Sequence, residues 1–233
     1  MFTLAEDEDK ADELTETAFD MYYGWTLHKL MNGVAQGKNT VQDLWDYFAK
    51  ADSTICPEAI RMNFITNHDE NSWAGTEQER MGDAVNLFAA FTYIVPGMPM
   101  MYTGQISGNH HRLEFFEKDL IDTDEAYSQA DLYRELNNLR ARNKALFSPE
   151  VGAPMERIAC DNDAIFACKR SKAGKWHTNT IIAVMNMSDQ EQYVTLDLTE
   201  NEGLYKCLCG KEHELKSAQS FTLEPWQFKI FEK

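Results

Sequence analysis

The chain has 233 residues, 43% hydrophobic and 12% aromatic, with 22 basic and 38 acidic side chains and a formal charge of −16. That balance supports a packed core rather than disorder, and the negative charge argues against nucleic acid or an anionic membrane as partner while tolerating neutral ligands. No apolar run reaches membrane-spanning length, and the acidic stretch that opens the chain lacks the basic start and long apolar segment of a signal peptide. The charge is uneven. Residues 1–150 hold 12 basic and 26 acidic side chains, whereas residues 151–233 hold 10 and 12. The five cysteines, at 56, 160, 168, 207 and 209, form no zinc or redox motif. In a strand, Cys207 and Cys209 would share one face, which is poor disulfide geometry.

In chain order, apolar clustering predicts strands over 2–5, 18–22, 61–66 and 98–102. Helical periodicity predicts helices over 25–35, 40–51, 77–95 and 128–145. Strand–helix alternation of this kind indicates a parallel sheet with helical crossovers. From about residue 151 the pattern changes to short strands over 158–160, 164–170, 180–186, 192–198, 205–207, 220–223 and 226–231, separated by polar turns. This is the signature of an antiparallel β-sandwich. The expected division is therefore 1–150 and 151–233, the second part self-contained.

Polar groups cluster where predicted strands end. Glu6 follows the first strand, but it opens the acidic run Glu6-Asp7-Glu8-Asp9, and such runs are ordinarily solvated. Asp20 stands near the end of the second, among Phe19, Tyr22, Tyr23 and Trp25. Of these aromatics, Tyr23 is assigned toward the open end of the sheet and Trp25 toward the core. Asn67, His68 and Asp69 follow the third strand, where an Asn-x-Asp sequence also serves to cap a following helix. Gln105 follows the fourth. The pair His110-His111 has no carboxylate at ligand spacing beside it and is not read as a metal site.

Taken together, these segments resemble the α-amylase family of retaining glycoside hydrolases. Phe64-Ile65-Thr66-Asn67-His68-Asp69 is similar to that family's seventh barrel strand. Gly97-Met98-Pro99-Met100-Met101-Tyr102 is similar to the eighth, Leu113-Glu114-Phe115-Phe116-Glu117-Lys118-Asp119 to the loop after it, and Phe2-Thr3-Leu4-Ala5-Glu6 to the fifth. The resemblance implies the last four strand–helix units of a (β/α)8 barrel followed by a β-sandwich. It implies Glu6 as general acid/base and Asp69 as transition-state stabiliser, with His68, Asn67, Tyr23 and Gln105 as substrate-binding residues. The implied substrates are α-glucans or maltooligosaccharides. The family motifs of the third and fourth strands, the latter carrying the nucleophilic Asp, do not occur in this sequence. The resemblance thus implies a C-terminal portion inactive alone, a non-catalytic glucan-binding or assembly module, or one half of an enzyme assembled from two chains. No cofactor or metal is expected, because the family's calcium site belongs to the other half. The compartment stays open; the parent enzyme would be secreted or periplasmic. An open half barrel would expose Leu4, Phe64, Ile65, Met98 and Met100 and self-associate.

Overall fold

A computed structural model describes residues 2–148 and 151–233, so the expected border at residue 150 falls outside the described residues. Strands β1 (Leu4–Ala5), β2 (Met21–Tyr23), β3 (Ile60–Asn63) and β4 (Met98–Pro99) form one sheet in the order β1-β2-β3-β4. All three pairings are parallel, with Leu4 opposite Met21, Tyr22 opposite Arg61 and Met62 opposite Met98. Between them run helices α1 (Ala11–Thr17), α2 (Trp25–Ala35), α3 (Val41–Thr54), α4 (Glu77–Met81) and α5 (Val85–Ile94); α6 (Ala130–Arg142) follows β4.

The helices follow from local chemistry. In α2, Leu27, Met31 and Val34 recur at helical spacing on the buried side. α3 starts at a reciprocal cap: the Thr40 hydroxyl accepts from the Asp43 amide, and the Thr40 amide donates to the Asp43 carboxylate at 2.7 Å. The single helix expected over 77–95 is broken. Gly82 adopts φ 53°, a conformation that favours glycine, and α4 gives way through a short 3-10 turn to α5. α5 is buried on almost every side and ends before Pro96. The carbonyl of Ile94, which ends α5 and has no helical partner, and those of Pro96 and Gly97 just beyond the helix are met by arginines. Arg170 Nη1 donates to Ile94 O at 3.0 Å, Arg61 Nη2 to Pro96 O at 2.6 Å, and Arg140 Nη2 to Gly97 O at 3.0 Å. Positive charge at a helix C-terminus also interacts favourably with the negative end of the helix dipole.

The second region comprises β5 (Glu156–Arg157), β6 (Ile165–Ala173), β7 (Thr178–Asn186), β8 (Gln192–Asp197), β9 (Gly203–Cys207), β10 (Glu212–Leu215), β11 (Ala218–Leu223) and β12 (Phe228–Glu232). Six of these form an antiparallel sheet in the order β10-β9-β12-β7-β6-β5, and β11 pairs with β8 in a second sheet. Period-two alternation assigns the faces of the large sheet. Ile165, Ala167, Ile182 and Val184 pack with Val194, Leu196 and Leu223 of the small sheet. Phe166, Cys168, Ile181, Ala183 and Met185 turn the other way, into a core shared with α2, α3, α5 and α6. There Phe166 stacks on Trp45 at 4.3 Å and meets Phe91 edge-on at 5.0 Å. The two regions therefore share one core, and a separated second region would expose this face.

Two expectations change. Cys207 and Cys209 are disulfide-bonded, with Cα atoms 5.3 Å apart. They lie at the β9–β10 turn, where Gly210 N returns to Cys207 O, and not along one strand face. Phe64 and Ile65 are buried: Phe64 is covered by Tyr23, Trp25 and His28, and Ile65 belongs to the shared core. Leu4 is exposed, while Met98 and Met100 are half-buried. Among the described residues, no helix is long and apolar enough to cross a membrane.

Candidate active site

Parallel strands put the groups that follow them at one end of the sheet, the end at which β/α barrels carry their chemistry. Glu6 follows β1, Tyr23 closes β2, and the segment after β3 leads through buried Phe64 and Ile65 to Asn67, His68 and Asp69. One carboxylate oxygen of Glu6, one of Asp69 and one ring nitrogen of His68 all lie within 4.8 Å of one another. Within the cluster, His68 Nε2 is 3.6 Å from Asp69 Oδ2. Glu6 and His68 are exposed and Asp69 is half-buried. This trio also has metal-ligating spacing, but three open groups are better suited to hydrogen-bonding a ligand's hydroxyls than to a closed structural metal site.

The cap and the site separate cleanly. Asn67 Oδ1 accepts from the Glu70 amide at 2.7 Å, so Asn67 is the residue that caps the following turn. Asp69 makes no side-chain cap. Asn67 is 1% exposed, and its Nδ2 has no hydrogen-bond partner among the described residues. It underlies the site rather than lining it. The turn it caps, Glu70–Ala74, is a π-helical turn closed by Gly75 N to Glu70 O at 2.9 Å, a device that recurs at functional sites.

Tyr23 lies deeper than expected, and Trp25 packs beside it. Tyr23 is buried, stacked on half-buried Trp25 at 5.1 Å and edge-on to Phe64 at 5.3 Å. Its phenol is pushed above the ordinary tyrosine range, first by burial and then by the negative charge of Glu6 and Asp69, with the Asn67 amide acting in the opposite sense. Gln105 is not brought to the cluster. It is 2% exposed, its Oε1 accepts from the Tyr102 amide and its Nε2 donates to Tyr133 Oη at 2.8 Å, so its amide fastens the β4 loop to α6. Asp20 immediately precedes β2 rather than ending a strand. Its Oδ2 accepts from the Thr3 amide at 2.7 Å and hydroxyl at 2.8 Å, which hold its carboxyl below the usual range.

The acidic run at 6–9 divides by role. Glu8 accepts from the Thr26 amide in the first turn of α2 and from Tyr47 Oη at 2.9 Å, leaving Glu6 as the group that reaches the cluster. Beneath the π-turn, His28 Nε2 contacts Glu70 Oε2 at 2.9 Å, and Arg80 donates to Asn32 Oδ1 and to Ile65 O, each at 2.8 Å. The His28 contact holds the Glu70 carboxyl below its ordinary range. Sequence reading missed this support, whose members are up to 52 positions apart. His111 also departs from expectation. Two carboxylates flank it after all, Asp122 at 2.7 Å and Asp119 at 3.2 Å, supplied from farther along the same loop.

No protein-family model matches the sequence, and neither does any curated protein. Solved structures do match. A maltogenic α-amylase, AmyB of Thermotoga neapolitana, aligns with a TM-score of 0.81 at 20% identity, over 100% of this chain and 54% of that one. An α-amylase of Lactobacillus plantarum aligns with a TM-score of 0.75 at 18% identity, over 99% and 55%. The α-amylase of Geobacillus thermoleovorans, solved with acarbose, aligns with a TM-score of 0.74 at 14% identity, over 99% and 53%. At these identities the likeness is one of fold. The chain spans about half the length of each of these structures, and over that length it has the fold of an α-amylase: a run of parallel β/α units followed by antiparallel β-sheets.

Proposed function

We propose that Glu6, His68 and Asp69 form part of a site that binds an α-glucosidic bond of a starch-like glucan. The observation that carries this reading is the convergence of the three side chains within 4.8 Å at the chemically competent end of a parallel sheet. Glu6 is the group to protonate the glycosidic oxygen and later to deprotonate water. Asp69 and His68 hold the hydroxyls of the same sugar, and their hydrogen bonds strengthen as the ring flattens toward an oxocarbenium ion. Structures with this fold have been solved with acarbose and with maltose, which supports an oligosaccharide of glucose as ligand.

Retaining hydrolysis needs a nucleophile beside the acid/base, and the motif that would supply it is not among the residues of this sequence. Loss of an essential group from a catalytic set removes orders of magnitude in rate. The reading for this chain by itself is therefore glucan binding without turnover.

The test is equilibrium binding of maltotriose to the purified chain, alongside an assay for released reducing ends. Binding without turnover is expected. Asp69→Asn and His68→Ala should abolish it while leaving the unfolding midpoint in place. Binding indifferent to both substitutions would reject the site, and turnover abolished by Glu6→Gln would reject the binding-only reading.

A further inference from the structure

At the end of the parallel sheet opposite the Glu6–His68–Asp69 cluster, where β3 and β4 begin, positive charge is buried with no carboxylate beside it. Arg61 is 6% exposed and Arg170 1%. Among the described residues, neither meets an acidic side chain at ion-pair distance. Their hydrogen-bond acceptors are neutral. Arg170 donates to the carbonyls of Ala153, Ile94 and Phe147, and Arg61 donates from Nε to Asn63 Oδ1 at 2.9 Å and from Nη2 to Pro96 O. The Arg61 guanidinium also lies over the rings of Tyr47 and Phe48, 5.3 and 5.0 Å from their centroids. Burial raises the phenols of Tyr22 and Tyr47 above the ordinary range, so neither ionises to balance that charge. Glu8 stops one side chain short, on Tyr47 Oη at 2.9 Å. Burial pushes Arg170 down to about 10, and the like charges of Arg140 and Arg61 act in the same sense. Arg170 is still a cation at neutral pH, and a buried charge without an opposite partner is costly.

Both arginines line one cavity of about 330 Å³. We propose that this cavity binds a small organic anion, its phosphate or carboxylate head on Arg61 and Arg170 and its apolar stem against Ile55, Pro57, Pro154 and Met155. Guanidinium groups are the side chains best matched to such heads, because their planar N–H donors pair with two oxygens at once. A neutral ligand would leave the buried charge as it stands. A bare inorganic anion would leave the apolar part of the lining unused. The volume falls in the range of small-molecule sites. Asp52 is the one carboxylate in the lining among the described residues, and it is exposed. Water and salt screen its charge, whereas they screen the buried arginines far less.

The lining is drawn from both regions of the molecule. The end of α3, the residues before β3 and β4, the segment 153–155 and β6 all contribute. An anion held there would tie the antiparallel region to the parallel one, and a ligand that binds only the folded state raises its stability with concentration. This site is independent of the glucan reading of the cluster.

The experiment titrates the whole chain with phenyl phosphate, benzoate, inorganic phosphate and, as a neutral control, benzyl alcohol, all at one ionic strength set with chloride. Affinity is measured by calorimetry and the unfolding midpoint by a thermal scan. Phenyl phosphate or benzoate should bind saturably and raise the midpoint, and whichever binds tighter identifies the head group. Inorganic phosphate should bind about tenfold more weakly, since it lacks the stem. Arg61→Met should remove the binding. Asp52→Lys, an exposed change that leaves the arginines in place, should tighten it about fivefold and leave maltotriose binding unchanged. If Arg61→Met does not fold, Asp52→Lys decides, and an unchanged affinity overturns the proposal. So does a midpoint that no anion raises, or one that benzyl alcohol raises equally, which would make the cavity merely apolar.

Discussion

The parallel layer and the antiparallel region solve burial differently. The six-stranded sheet buries both faces, one against the small sheet and one against the helices, and its residues 151–233 carry nearly balanced charge. The parallel sheet buries Ala5, Tyr22, Arg61 and Asn63 on its helical side, whereas on its other side the described residues form a small separate cluster of Met21, Tyr23, Met62 and Phe64. It carries nearly all the excess negative charge and ends in the exposed acidic cluster. The lesson is one of division of labour. Apolar area in the shared core holds the molecule together, and that lets one end of the parallel sheet carry close carboxylates that no stability argument would place there.

If that division holds, the largest effect comes from separating the regions. Residues 151–233 expressed alone should bind a hydrophobic dye and lose a sharp unfolding transition, because Phe166, Ile181, Ala183 and Met185 lose their cover. A cooperative, dye-silent product would break the comparison. Next comes Arg170→Met. The guanidinium donates to Ala153 O at 2.9 Å, Ile94 O at 3.0 Å and Phe147 O at 3.2 Å, joining the C-terminus of α5 to β6. Its loss leaves buried carbonyls unpaired and should cost about 3 kcal/mol, read from urea unfolding as one transition moved to lower denaturant. Two separate transitions would mean that the regions are not a single cooperative unit.

Smaller effects should stay within the parallel layer. His28→Ala removes the partner of Glu70 beneath the π-turn and should cost about 1–3 kcal/mol. It should also weaken sugar binding, which Arg170→Met should not. The smallest concerns pH. Asp122, and after it Asp119, raise the pKa of His111 above the ordinary imidazole value, against an opposing effect of desolvation. A raised folded-state pKa stabilises fully below the unfolded value of about 6.5 and is lost as pH rises through the folded value. Amide protection over residues 109–122, corrected for intrinsic exchange, should therefore fall on the alkaline side of neutrality. His111→Ala should remove that dependence.

Much of this was legible in the sequence, for identifiable reasons. The helix over 25–35 was read to its exact bounds, because Leu27, Met31 and Val34 set its period. The strand–helix alternation and the later run of strands gave the architecture, since both are periodic signals. What escaped reading lacked a local signal. Helix α1 lies in an acidic stretch with one buried residue, Ala11, and β10 buries only Leu215. Gln105 and Tyr23 face where packing sends them, and neither residue's neighbours in sequence specify that. The partners of His111 and Glu70 arrive from 8 to 42 positions away. In the site itself, the Asn-x-Asp sequence also fits a cap on the following turn, and the geometry after β3 gives that cap to Asn67.

The central claim is that the sugar site lies on the parallel layer, at His68 and its two carboxylate neighbours, and nowhere on the antiparallel region. The six histidines offer a direct test, because His177 and His213 lie in the second region. Imidazole signals followed by NMR during titration with maltotriose should show a saturable shift at His68, with His177 and His213 unmoved. A shift confined to His177 or His213, or none at His68 at saturating sugar, would contradict the account.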